Sequence, residues 1–141
     1  MESEPETPTA EEIRARIRAE HHGLAAELAN IEALAARVPS EGRDAVVALR
    51  SALQSLGTSL HAHLQYEEYR LPALARDAVS SEELQEEMRQ EHRAQRELLA
   101  RVVEDLDETA VGEQLIVGVR EVVRAIRDDM AYEENEILSK L

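Results

Sequence analysis

His63-Leu64-Gln65-Tyr66-Glu67-Glu68 is the stretch on which the fold turns. His63 and Glu67 are four residues apart, about one turn of an α-helix, so both side chains leave one face. Upstream that face continues as Val46, Leu49, Leu53, Leu56 and Leu60, and downstream as Leu71. Spacings of three and four predict one long amphipathic helix whose apolar seam turns polar near its end. The pattern returns near the C-terminus as Asp129-Met130-Ala131-Tyr132-Glu133-Glu134. Tyr-Glu-Glu is repeated, and a potential metal ligand stands four residues before the first Glu each time. A Glu-His pair precedes each copy by a helix length, as Glu20-His21 and Glu91-His92. The chain therefore reads as two halves, each with a His helix followed by a carboxylate helix.

The remaining helices follow from the same periodicity. Thr9-Ala10-Glu11-Glu12 is a capping-box pattern that opens a helix with the seam Ile13, Ile17, His21, Leu24, Leu28 and Ile31. This helix is expected to end before Pro39. The helix bearing His63 starts in the region 40–44, and Pro72 kinks or ends it, a kinked helix running one further turn to about Asp77. Ser80-Ser81-Glu82-Glu83 offers the next cap, ahead of the seam Leu84, Met88, His92, Gln95, Leu99, Val102 and Leu106. A turn at 107–109 leads to the last seam: Val111, Leu115, Val119, Val122, Ile126, Asp129, Glu133 and Ile137. No segment alternates as a strand does. Four amphipathic helices with short connections predict an all-α fold, an antiparallel up-down four-helix bundle over 10–141. Residues 1–9, with Pro5 and Pro8 among Glu and Thr, read as a flexible N-terminal tail.

Composition narrows the function. With 141 residues the chain is one domain able to bury a core without covalent staples. The formal net charge of −14 argues against a nucleic-acid partner or an anionic membrane surface. There is no Cys, which excludes disulfides, thiolate zinc sites and cysteine catalysis. No apolar run approaches the ~20 residues of a membrane span, and the acidic, Pro-containing N-terminus is unlike a signal peptide. A soluble cytoplasmic protein, monomeric or weakly homodimeric, is the expectation.

The polar seam positions carry the chemistry. Counted from the helix caps at ~1.5 Å per residue, His21, Glu67 and His92 lie at one depth, about 18–20 Å from the same end of the bundle. Glu133 and Asp129 can join them. A single His in a seam is more often a satisfied core residue than a ligand. A seam Glu is harder to dismiss, because a buried unpaired carboxylate is costly. Glu67, Glu133 and Asp129 would be buried together beside three histidines, with no Lys or Arg in the seams to neutralise them. Three such anions would repel one another or take up protons. Two divalent cations remove the difficulty. Carboxylates and imidazoles in a bundle core suit iron or manganese, with zinc as the alternative. The candidate ligands are His21, His63, Glu67, His92, Asp129 and Glu133. His22 and His61 point elsewhere and read as surface residues, although His22 takes the place of His21 if the first helix is rotated. Glu20, Glu68, Glu91 and Glu134 flank the ligands and read as solvated faces.

These motifs resemble the hemerythrin-like, HHE cation-binding family, whose bacterial members show His, His-x-x-x-Glu, His and His-x-x-x-Glu on successive helices. Here they read His21, His63-Leu-Gln-Tyr-Glu67, His92 and Asp129-Met-Ala-Tyr-Glu133, with the Leu-Pro-Ala-Leu at 71–74 also typical. The resemblance covers about residues 10–141. It implies two iron ions, oxo- or hydroxo-bridged, with Glu67 and Glu133 bridging. His21 and His63 would complete one ion's protein ligands, and His92 and Asp129 the other's. Three departures stand out. Asp129 occupies a position where the family usually has His. Arg96 stands four residues after His92, where oxygen carriers have a further His. Phe and Trp are absent. The second ion would then be more anionically ligated, which favours its ferric state. Reversible oxygen carriage does not follow.

Tyr66 and Tyr132 precede the two bridging glutamates. They are boundary residues with wet hydroxyls, partners of a ligand, or phenolate ligands in their own right. Gln95, in the seam one turn after His92, could orient a ligand or a water. The expected function is binding of, or reaction with, a small oxidant: hydrogen peroxide, dioxygen or nitric oxide. Peroxide decomposition is the enzymatic form. The alternatives are a non-catalytic oxygen- or iron-binding module that stores or senses, and a structural bundle with a degenerate site.

Overall fold

The computed structural model describes residues 7–74, 81–107 and 113–140. Four helices account for nearly all of them: α1 (Ala10–Glu41), α2 (Arg43–Leu74), α3 (Ser81–Asp107) and α4 (Glu113–Tyr132). A π-helical turn (Glu133–Ile137) and a short 3₁₀ turn (Leu138–Lys140) continue α4. Each helix packs on its sequence neighbour, and α1 packs on α4, closing a four-helix bundle. No helix among the described residues is long and apolar enough to cross a membrane.

The helix starts and stops have local causes. Thr9 is the N-cap of α1, its hydroxyl accepting from the Glu12 N–H at 3.1 Å. α1 does not end before Pro39. It continues to Glu41 with Pro39 inside its last turn. A proline lacks one donor, here the N–H that would reach the Ala35 carbonyl, and one lost bond near a helix end does not stop the chain. What stops it is Gly42, at φ +60°, a conformation that disfavours any side chain. Its N–H caps the Val38 carbonyl at 2.9 Å, and its carbonyl accepts from the Val46 N–H at 3.1 Å. One residue thus ends α1 and begins α2. Pro72 likewise lies within α2, which runs on to Leu74. The turn proposed to Asp77, the Ser80 cap, the connection at 107–109 and Val111 lie outside the described residues, as do residues 1–6 of the expected tail.

The seams face inward. Ile17, Leu28, Ile31, Leu49, Leu53, Leu56 and Ile126 are buried essentially completely, each such side chain worth ~1.5–3 kcal/mol relative to exposure. The apolar core is not continuous. A large cluster runs from Val38 and Leu49 at one end to Leu24, Leu64, Leu99 and Met130. A small one holds Ile13, Ile17, Leu71, Met88, Ile137 and Leu138, with Tyr66 packed against it. Along α1, His21 falls between Ile17 and Leu24; along α2, His63 and Glu67 fall between Leu60 and Leu71. His92 and Glu133 occupy the corresponding places on α3 and on the π-helical turn. A polar layer divides the core in two.

The last segment differs from the single regular helix that the seam predicted. After Tyr132 the helix widens, and the Leu138 N–H bonds to the Glu133 carbonyl, five residues back. The extra residue in this turn lets Glu133, Ile137 and Leu138 all face inward.

The two glycines of α1 and its end should respond oppositely to alanine. Gly42→Ala is expected to cost about 1 kcal/mol, because a Cβ resists positive φ. Gly23→Ala, in mid-helix with open space around its Cα, should stabilise by up to about 1 kcal/mol. Denaturant midpoints measured on both variants check the pair.

Candidate metal centre

His21, His63, Glu67 and Glu133 are almost fully buried, and one donor atom from each lies within 4.8 Å of all the others. His92, Asp129 and Glu133 form a second such group. Glu133 belongs to both. The rings of His21 and His63 meet edge to face, 4.9 Å between centroids. His21 Nε2 lies 3.8 Å from Glu133 Oε2, and His92 Nε2 lies 3.8 Å from Asp129 Oδ2. His63 Nε2 and Glu67 Oε1 approach to 2.5 Å, yet neither finds a hydrogen bond of acceptable direction. Two atoms that aim at a common third point, rather than at each other, behave this way.

Buried polar atoms without partners are the test of whether a cation fits. Among the described residues, His21 Nε2, His63 Nε2 and all four carboxylate oxygens of Glu67 and Glu133 are buried and make no hydrogen bond. Each such atom costs roughly 1–3 kcal/mol, more where it is charged. Divalent cations would satisfy this set of atoms with the chemistry they offer, neutral imidazole nitrogen and carboxylate oxygen.

The outer nitrogens explain why the inner ones face inward. His21 Nδ1 meets Glu134 Oε1 at 3.2 Å, His63 Nδ1 meets Glu20 Oε1 at 2.8 Å, and His92 Nδ1 meets Glu68 Oε1 at 3.0 Å. With Nδ1 donating to a carboxylate, Nε2 turns its lone pair to the layer. Each carboxylate comes from the helix before its histidine around the bundle: the end of α4 supports α1, α1 supports α2, and α2 supports α3. The series closes with Glu91 of α3, which hydrogen-bonds Asp129 of α4. Cations stand behind two of these carboxylates. Arg16 pairs with Glu20 at 3.0 Å, and Arg96 lies 3.6 Å from Glu68.

Glu20, Glu68, Glu91 and Glu134 are therefore not the purely solvated residues that their place outside the seams implied. The signal available in the sequence was their adjacency to ligands. A residue next to an inward-facing one is rotated about 100° and can meet the neighbouring helix. Gln95 is buried and donates from Nε2 to Asp129 Oδ2 at 2.7 Å. Tyr66 packs against the small apolar cluster, its ring under the Arg16 guanidinium at 3.7 Å. Tyr132 is 48 % exposed at the rim of a cavity. Tyr132 lines that cavity together with His92, Asp129 and Glu133. His21 is buried while His22 and His61 are exposed, which settles the rotation of α1.

Residues 12–141 match the family model for the hemerythrin HHE cation binding domain. The chain belongs to that family. No curated protein and no solved structure matches it. With its two clusters of His and carboxylate donors, it is a metal-binding hemerythrin-like protein.

Protonation of this hemerythrin-like layer is uneven. Burial holds His21 and His92 below the ordinary imidazole value, leaving them neutral and ready to ligate. Burial also acts against the charged form of His63, but the carboxylates of Glu67 and Glu20 outweigh it and raise its pKa. Asp129 is pushed up to about 8, first by burial and then by its hydrogen bond with Glu91; Gln95 acts in the opposite sense.

Two measurements follow. Between the ordinary 3.8 and about 8, folded metal-free protein keeps a proton on Asp129 that the unfolded chain has released. That contribution to stability therefore declines as pH rises through this window. A cation must displace the same proton, so divalent-metal affinity should climb with pH and flatten above about 8. Asp129→Asn should remove this part of the slope in a titration series. Separately, Glu20→Ala, Glu68→Ala and Glu134→Ala should each weaken metal binding by about 10–100-fold. His61→Ala should leave it unchanged in the same equilibrium assay.

Proposed function

We propose that this layer holds two iron ions and that the protein binds or reacts with a small oxidant: hydrogen peroxide, dioxygen or nitric oxide. One observation carries the reading. Two donor groups share the Glu133 carboxylate, and six buried atoms of the layer make no hydrogen bond among the described residues. A single cation would leave one group unsatisfied. Glu133, common to both, has the position of a bridge, and Glu67 supplies the second, its charge acting on His21, His92 and Asp129. His21 and His63 complete one set, and His92 and Asp129 the other. Bound iron would supply a reversible one-electron change and exchangeable positions for the oxidant.

The chain's own residues set the conditions. The two apolar clusters keep water from the layer above and below. A cavity of about 150 Å³ between α3 and the end of α4 touches His92, Asp129 and Glu133, giving a small molecule access to the second set. Gln95 fixes the orientation of Asp129. A carboxylate in place of an imidazole makes that set more anionic and favours the higher oxidation state.

Protein produced with adequate iron should carry about two iron atoms per chain. Glu67→Ala and Glu133→Ala should lower that number far more than His22→Ala or His61→Ala. Equal iron content in all four would rule the assignment out. Asp129→His should keep helicity and iron and raise the reduction potential; an unchanged potential in fully loaded protein would mean that Asp129 does not ligate. Rapid consumption of added peroxide, lost in Glu133→Ala, marks an enzyme. A stable, reversible colour change without consumption marks a binding module.

A further inference from the structure

The cavity beside the second donor group has a graded lining. Glu87 and Glu91 stand one turn apart on the exposed side of α3, at its mouth. Asp129 lies deeper, largely buried and hydrogen-bonded to Glu91. Glu133 forms the inner end, only 4 % exposed, with both carboxylate oxygens unpartnered. Four carboxylates thus lead from solvent to the layer, with Met88 and Ile137 as apolar wall. Among the described residues, no Lys or Arg lines the cavity. Two adjacent grooves do not offer the same passage: one reaches Asp129 and Gln95, the other reaches Glu68, and neither touches His92 or Glu133.

We propose that this cavity is the loading port through which divalent cations enter the layer, with Glu87 and Glu91 as the outer residues that capture them. The physical problem is desolvation. A divalent ion loses hydration with difficulty, and a buried site offers its ligands only after most of the water has gone. A staircase of carboxylates replaces water stepwise: two exposed, one largely buried, one almost fully buried. The unpartnered oxygens of Glu133 make the inner end attractive, and the anionic mouth concentrates cations from solution. The same charge opposes the entry of anions, so the port favours cations and neutral molecules. This inference rests on the reading that the layer holds metal.

The test uses full-length protein stripped of metal, mixed with Co²⁺, quenched with a chelator at timed intervals and counted for bound metal. Glu87 is suited to substitution, because it is exposed and belongs to neither donor group. Glu87→Gln should slow uptake several-fold and Glu87→Lys about tenfold or more at about 0.01 M salt. The difference should shrink at about 0.5 M salt, where exposed charges are screened. Glu97→Lys, an exposed change on the same helix outside the cavity, should load as the parent does. Final occupancy of parent and Glu87 variants should be equal. Equal rates for parent and Glu87→Lys, with full occupancy in both, would overturn the port while leaving the metal reading intact. Equal slowing in Glu97→Lys would also overturn it, because overall charge would then account for the effect. A parent that binds no Co²⁺ at equilibrium would overturn both.

Discussion

The architecture depends on a debt of unsatisfied polarity at the centre of the bundle. Four helices deliver three imidazoles and two fully or nearly fully buried carboxylates to one level, where water has been displaced by Leu, Ile and Met on either side. Left to themselves those groups favour opening of the bundle, since an unpaired buried charge costs several kcal/mol. The large cluster is extensive enough to hold the helices together despite the layer. The layer in turn confers specificity. A helix displaced by one turn would bring Leu against Glu, so the register of all four is tied to one plane.

Support of the ligands is distributed around the bundle rather than contained in any one helix. Glu20, Glu68 and Glu134 each reach across to a histidine on the next helix. Arg96 gains a role from this arrangement. At a position where oxygen carriers of the resembling family have a further histidine, it instead lies behind Glu68, the carboxylate that orients His92. The fourth link is chemically different from the other three. Where a histidine would donate to Glu91, Asp129 must share a proton with it, which adds to the larger effect of burial in weakening its acidity. One substitution thus changes the charge of the second donor set and turns a donor–acceptor pair into an acid pair.

Much of this was legible in the chain itself. The seams were, because a period of 3.6 is written into side-chain spacing and needs no knowledge of partners. All six candidate ligands fell on seam positions, and the structure brings them to one layer. The features that escaped depend on what lies opposite. Whether Glu20 faces water or His63 is decided by the crossing of α1 and α2, not by any spacing within α1. The widened turn at Glu133 reflects inward packing of Leu138, which a strict helical count would have placed elsewhere. Pro39 misled for another reason. Pro39 removes one hydrogen bond, and burial of Val38 beside it holds the helix through the gap.

Gly42 joins two helices of 32 residues each with a single connecting residue. The contacts of such a hairpin are local in sequence, and chains close local loops sooner than distant ones. Three of the four members of the first donor group, His21, His63 and Glu67, lie on this hairpin, together with Glu20 that orients His63. The second group draws His92 from α3 and Asp129 from α4, and both groups wait for Glu133 at the far end of the chain. The order of the helices along the polypeptide therefore gives assembly of the centre a direction in time: one half is prearranged by α1 and α2, and the π-helical turn after α4 completes both.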